Sequence, residues 1–138
     1  MKRAEKGLTL SELLTVVVII GVMAALVLPR FIRQDERGIV AEAVAHLSAI
    51  RQAEEAWSLE QTTPAYTATL TNLDIDLTQT KFTYAVVAAT GTATATRQPT
   101  GSCTISTSPT GNYNGCTISL TAAGVWGGTH PFRPTNPT

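Results

Sequence analysis

The chain has 138 residues, enough for about one domain, and ten Lys plus Arg balance ten Asp plus Glu. A formal net charge of zero writes neither a nucleic-acid surface nor an acidic tail into the totals. Two cysteines and two histidines stand at no metal-ligand spacing and in no nucleophile-and-base cluster, which argues against an ordinary cytosolic enzyme.

Charge is distributed unevenly. Residues 1–61 carry seven basic and eight acidic side chains, whereas residues 62–138 carry only Asp74, Asp76, Lys81, Arg97 and Arg133. The second part holds 21 Thr in 77 residues, and Thr favours strands and exposed sheet faces over helices. The two parts are different kinds of structure.

From Leu8 to Pro29 the sequence is LTLSELLTVVVIIGVMAALVLP, with Glu12 its only charge. As a helix these 22 residues span about 33 Å, enough to cross a bilayer core of about 30 Å. Ahead of them Lys2, Arg3 and Lys6 outnumber Glu5, which holds the N-terminus in the cytoplasm and sends the Thr-rich part outward. A conventional secretory signal cut near Leu26, after Ala24 and Ala25, is one alternative. It fits poorly, because the apolar stretch is long and a discarded segment has no need of Glu12. A plain anchor is the other, but a carboxylate in an apolar span costs about 2.5–3.5 kcal/mol on insertion scales and usually marks function. A cut between Gly7 and Leu8 gives Glu12 a reason, because it creates an α-amine one helical turn before the carboxylate.

The stretch KGLTLSELLTVVVIIGVMAALVLPRF resembles the class III signal of type IV prepilins. It has a short basic leader ending in Gly7, a hydrophobic residue after the cut, Glu12 fifth after it, and an apolar helix ending in Pro29. The likeness covers residues 6–31, with weaker similarity along the following helix and in the paired C-terminal cysteines. It departs at Leu8, where Phe is commonest, and at Ser11 and Thr15, which replace apolar residues. The resemblance implies that a membrane prepilin peptidase cuts after Gly7 and N-methylates Leu8. It implies also that subunits wait in the inner membrane, then are polymerised by a pilus assembly machinery into a helical filament of identical copies. Glu12 is then the assembly contact, paired with the Leu8 amine of an adjacent subunit.

Gly21 and Pro29 bracket a stretch that can loosen, since Gly weakens a helix by about 1 kcal/mol and Pro removes a hydrogen bond. They are the expected helix break, as a loosening on assembly or a simple membrane-helix kink, and Gly38 is a second weak point. Beyond it Val40, Val44, Leu47, Ile50 and Trp57, with Ala43 between, form one apolar stripe expected to pack on a sheet. Ala41, Ala45, Ala49 and Ala53 recur on another side, through helix propensity or for close approach of another helix. Glu42, His46, Gln52 and Glu55 form the solvated remainder, and His46 and His130 read as surface residues.

Pro64 closes the helical part, and residues 62–79 read as a loop with short extended pieces. Asp74 and Asp76 alternate with Leu73, Ile75 and Leu77 and read as a solvated strand face, since two carboxylates fall short of what calcium wants. Strands are predicted at Phe82–Thr90, Thr92–Arg97, Cys103–Thr107 and Cys116–Thr121. The turn residues Pro109 to Gly115 predict a hairpin pairing the two Cys-Thr-Ile-Ser runs. Outside the cytoplasm Cys103 and Cys116 are expected to oxidise, closing a loop of about 14 residues and stabilising by about 3 kcal/mol. This resembles the disulfide-bounded C-terminal loop of many pilins. The end, with Trp126 and Phe132, is expected to lie over the sheet without regular structure.

The sequence therefore predicts an α+β chain: leader 1–7, apolar transmembrane and assembly helix 8–29, amphipathic helix 30–61, and a small antiparallel sheet with one disulfide in 62–138. No cofactor, no metal and no catalytic residue is expected. The leading reading is a structural subunit, a major pilin, serving adhesion, motility or DNA uptake from outside the cell. A type II secretion pseudopilin is one alternative. A minor pilin binding DNA or a surface is another, although three basic residues in the polar part make nucleic acid a poor primary partner. A membrane-anchored enzyme is the remote remaining reading.

Overall fold

The computed structural model describes residues 7–63, 65–77, 81–104 and 112–136, with residues 28–33 described by backbone alone. A single helix α1, Leu10–Glu60, runs for 51 residues, about 77 Å at the α-helical rise. A 3-10 turn at Leu70–Leu73 follows. Four strands then form one antiparallel sheet in sequence order: β1 Phe82–Val87, β2 Thr92–Arg97, β3 Thr117–Leu120 and β4 Trp126–Gly128.

The helix is continuous through Gly21, Pro29 and Gly38, so the expected break is absent from this chain by itself. A helix-interior Gly costs about 1 kcal/mol and a Pro about 3 kcal/mol, and the 51-residue helix carries both without interruption. The apolar segment and the amphipathic segment are one rod. Its first part projects alone: none of Leu10–Val27 is buried. Its second part carries the sheet.

The predicted stripe does the packing. Val40, Ala43, Leu47 and Ile50 are buried, with Val44, Ala53 and Trp57 half-buried against the same core. The facing sheet surface is built by alternation: Phe82 and Val86 from β1, Ala93 and Ala95 from β2, Ile118 and Leu120 from β3. Ala93 and Ala95 sit in an interior strand, where small side chains let the helix come close. Leu47, Ile50 and Ile118 are fully buried, each contributing about 1.5–3 kcal/mol by burial. The other sheet face carries the hydroxyls, with Thr83 beside Thr96, Thr96 beside Thr117, and Thr94 beside Ser119. Ala41, Ala45 and Ala49 are exposed on the helix, whereas Ala53 joins the core.

Four expectations are corrected. First, β1 ends at Val87 rather than Thr90, because the amides of Thr90 and Gly91 both bond the Val87 carbonyl and turn the chain. Second, the two Cys-Thr-Ile-Ser runs do not pair as a hairpin, because both edges of β3 are occupied, by β2 and β4. Thr104 instead bridges Asn112, and the rest of the first run, from Ile105, lies outside the described residues, as does Pro64. Third, the C-terminal stretch supplies strand β4. A turn in which the Thr121 amide bonds the Val125 carbonyl reverses the chain, and Asn136 clamps Trp126 through its backbone N–H and C=O. Gly128 completes the pairing at φ +103°, where a Cβ would strike the Thr117 carbonyl. Fourth, Asp74 and Asp76 are exposed and Leu73, Ile75 and Leu77 turn inward as expected, but the segment is a 3-10 turn ending in left-handed Asp74, not a strand.

The disulfide forms as predicted, joining Cys103 to fully buried Cys116 across 4.7 Å between Cα atoms. It ties Cys103 to the core through Cys116.

Both histidines are corrected too. His46 is half-buried and hydrogen-bonds the Tyr84 hydroxyl at 3.1 Å. His130 is 0% exposed. It closes a buried cluster with Glu36 and Arg97. The Arg97 guanidinium grips Glu36 with two bonds, Nε to Oε1 at 2.9 Å and Nη2 to Oε2 at 3.1 Å. His130 Nε2 stands 3.2 Å from Glu36 Oε1, while its Nδ1 accepts the Phe132 amide at 3.3 Å, which assigns the ring proton to Nε2. Tyr113, Phe132 and Phe82 surround the imidazole. The cluster binds the helix, the end of β2 and the C-terminal tail together.

Burial by itself pushes the Glu36 carboxyl up, but the hydrogen bonds from His130 and Arg97 and the charge of Arg97 outweigh it and hold the group down at about 2, against an ordinary 4.5. A carboxyl depressed in the folded state stabilises fully above pH 4.5, and that stabilisation is lost as the pH falls towards 2. The full chain in detergent is expected to lose up to about 3 kcal/mol over that interval, and Glu36→Gln to flatten the loss. Denaturant unfolding across the acid range measures it, and equal slopes for both proteins contradict it. Replacing both cysteines by Ser is expected to cost about 3 kcal/mol in the same unfolding experiment. An unchanged midpoint contradicts a stabilising bridge.

Candidate processing and assembly segment

Gly7, Leu8 and Thr9 precede the helix without regular structure. Thr9 is its N-cap, in extended backbone at φ −78° and ψ 154°. The first turn of any helix leaves amides without intrahelical partners, and a Thr hydroxyl with a Glu three residues on can satisfy two of them reciprocally. That pairing is present. The Glu12 amide reaches the Thr9 hydroxyl at 3.4 Å, and Glu12 Oε2 accepts both the Thr9 amide and the Thr9 hydroxyl at 2.7 Å. Among the described residues both contacts fall on the same carboxylate oxygen.

Ser11 and Thr15 extend this polar edge. The Ser11 hydroxyl lies 3.2 Å from that of Thr9, and the Thr15 hydroxyl donates to the Ser11 carbonyl at 2.9 Å. Hydroxyls bonded back to the helix lower the cost of carrying them in an apolar environment. Leu8, Ser11, Glu12, Thr15 and Val16 line a shallow notch. Leu10, Leu13, Leu14 and Val17 line a purely apolar depression of the rod. The segment thus has a polar side and a greasy side.

Every residue from Gly7 to Val27 is exposed, and Leu8 is 72% so. At Gly7 a Cβ would meet nothing within 4 Å, so packing within the subunit does not require glycine there. Gly21 is equally unconstrained. The span Leu10–Val27 has a mean hydropathy of 2.5 over 18 residues, long and apolar enough to cross a membrane. Glu12 lies at its N-terminal end.

The structure brings Leu8 and Glu12 to one notch, keeps Gly21 and Pro29 inside the helix, and joins Cys103 to Cys116. Three features were not anticipated. Thr9 is the partner of Glu12 within its own chain, and its signal was available as a Thr-x-x-Glu pair before an apolar run. Glu36 and Glu54 continue the buried stripe, each four positions from a stripe residue, Val40 and Ile50 respectively, a signal visible to anyone extending the stripe through charged positions. The burial of His130 has no local signal, because it depends on where the tail returns.

Residues 2–28 match the family defined by the prokaryotic N-terminal methylation motif. Two curated proteins of Pseudomonas aeruginosa, each named fimbrial protein, are 43% identical to the chain over 58 residues, 42% of this chain and 38% of theirs. The aligned part is thus well under half the length of these relatives. No solved structure gives a significant match. With Glu12 at the head of an uncovered apolar helix and a disulfide-stapled sheet on the far part of the same helix, residues 2–28 are a class III prepilin signal of the N-terminal methylation type, on a chain similar in sequence to a fimbrial protein.

Proposed function

We propose that this chain is the major structural subunit of a type IV pilus, working by assembly and not by catalysis. The observation that carries the reading is an apolar helix of 18 residues, wholly unburied in the subunit, with one carboxylate at its start and a folded sheet on its continuation. Such a helix has two stable homes, a bilayer or a bundle of like helices. The fimbrial relatives support the second as its final one.

In this reading residues 1–7 are a leader, 8–29 the membrane and assembly helix, 30–61 the helix under the sheet, and 62–138 the exposed globular part. A membrane peptidase cuts the Gly7–Leu8 bond and methylates the new amine. The unconstrained space at Gly7 suits recognition by that enzyme, since the subunit's own packing makes no demand there. The subunit pool rests in the inner membrane. The assembly machinery then withdraws each span and stacks it among its neighbours in an extracellular filament.

Glu12 sets the register. Burial of an apolar rod is non-directional, so it favours many sliding positions almost equally. A carboxylate in a water-poor core requires a partner, and the Leu8 amine of an adjacent copy supplies one at a single offset. Thr9 holds Oε2 from within the chain, which leaves the other oxygen to meet the incoming amine. Gly21 and Pro29 give the helix its points of least resistance if neighbours require it to loosen.

Intact-mass analysis of filaments purified from the producing cell is expected to show a chain beginning at N-methylated Leu8 with Cys103 and Cys116 oxidised, as the dominant component. A mature N-terminus beyond Pro29 contradicts the reading. Glu12→Ala is expected to insert and be cut normally, because the span becomes more apolar and the Gly7–Leu8 bond is unchanged. Each Leu8 amine then loses its partner in the core, a cost of about 3–5 kcal/mol per subunit, and filaments disappear. Filament yield is compared with the amount and size of membrane-held subunit, and a normal yield refutes the role of Glu12.

A further inference from the structure

At the end of the sheet remote from the apolar span, four segments converge on one small enclosure. Arg51, Glu54 and Glu55 of the helix, Tyr66 of the following loop, Gly91 of the β1–β2 turn and Ala122 after β3 surround a cavity of about 30 Å³. Glu54 is 2% exposed. Its Oε2 accepts the Thr67 amide at 2.9 Å, while its buried Oε1 has no hydrogen-bond partner among the described residues. Arg51, one turn earlier, donates Nε to the Ala122 carbonyl at 2.9 Å and stands 4.0 Å from Glu55. Arg51 thus lines the same enclosure as an oxygen that lacks a donor.

A buried acceptor without a partner costs as much as a broken hydrogen bond, and native proteins commonly fill such gaps with water. One water needs about 10–15 Å³ of such space. The cavity has that room and is too small for an organic ligand. Its walls narrow the choice further. Arg51 repels a cation, and Glu54 with Glu55 repels an anion. A neutral molecule that both donates and accepts suits both. We propose that this cavity is a binding site for one ordered water, which donates to Glu54 Oε1 and accepts from the Arg51 guanidinium.

The water completes the junction at which the helix end, the loop and two turns meet. Glu54 then holds the loop by Thr67 on one oxygen and the Arg51 side on the other, and Arg51 carries the link to Ala122. Gly91 is part of the enclosure, at φ +59° and with a Cβ position 2.8 Å from the Tyr66 ring, so a larger residue there would displace the wall.

The test is a crystal structure of the full chain in a lipidic mesophase, at a resolution that shows ordered water, with hydrogen exchange at the Thr67 amide in detergent. Wild type and Glu54→Gln are expected to show one peak within hydrogen-bond distance of residue 54 and an Arg51 nitrogen. Glu54→Met, which fills similar volume without an acceptor, is expected to lose the peak and to speed Thr67 exchange about tenfold. An empty cavity, a direct Arg51–Glu54 pair, or a peak with the many short oxygen contacts of a metal ion overturns the proposal. If Glu54→Met does not fold, the wild-type and Glu54→Gln structures decide.

Discussion

Eighteen consecutive residues of apolar helix, none of them buried, are the constraint on which everything else in this molecule depends. At about 1.5–3 kcal/mol for each buried large apolar side chain, the segment carries tens of kcal/mol of unmet burial. Nothing among the described residues covers it. A membrane and a set of neighbouring copies are the two solvents that can, and the passage from one to the other is the proposed life of the subunit. What burial cannot specify is position along the rod, and Glu12 is the group able to add it. Thr9 makes that carboxylate tolerable meanwhile, because a hydrogen-bonded carboxylate is less costly to hold in a greasy environment than a bare one.

The second part of the same helix has the opposite problem, which is to hold a folded unit firmly enough to be carried with the rod. Its buried stripe runs Glu36, Val40, Ala43, Leu47, Ile50 and Glu54. Apolar residues fill the middle and a glutamate sits at each end. Glu36 locks the tail and β2 to the helix through His130 and Arg97, and Glu54 locks the loop through Thr67. The two carboxyls titrate in opposite senses. Burial raises Glu54 despite its bond from Thr67, whereas the partners of Glu36 override burial and lower it. Acid therefore weakens the Glu36 end of the sheet, nearest the apolar span, whereas protonation relieves the burial penalty of Glu54 at the other end.

Much of this was legible in the sequence. The apolar span, the helical stripe from Val40 to Trp57, the Thr-rich sheet and the disulfide all follow from local periodicity, compartment and composition. The failures are non-local. The repeated Cys-Thr-Ile-Ser suggested a hairpin, but β3 finds better partners in β2 and in the tail, and pairing is decided by which edges remain open. Trp126–Gly128 has no alternation to mark it as a strand, since two of its three residues are glycines. His130 looked like a surface residue because its carboxylate partner, Glu36, lies 94 positions away. A charged residue in an apolar stripe was readable as periodicity, yet its meaning required the far end of the chain.

The central claim is that Glu12 is satisfied across subunits. Electron microscopy of surface filaments from the producing cell, with side-chain density fitted to this sequence, tests it directly. The account predicts a filament built from this chain, its apolar helices at the axis, and the Glu12 carboxylate of each copy within hydrogen-bond distance of the Leu8 amine of a neighbour. A filament in which Glu12 contacts only its own Thr9, with the neighbouring Leu8 amines elsewhere, contradicts it.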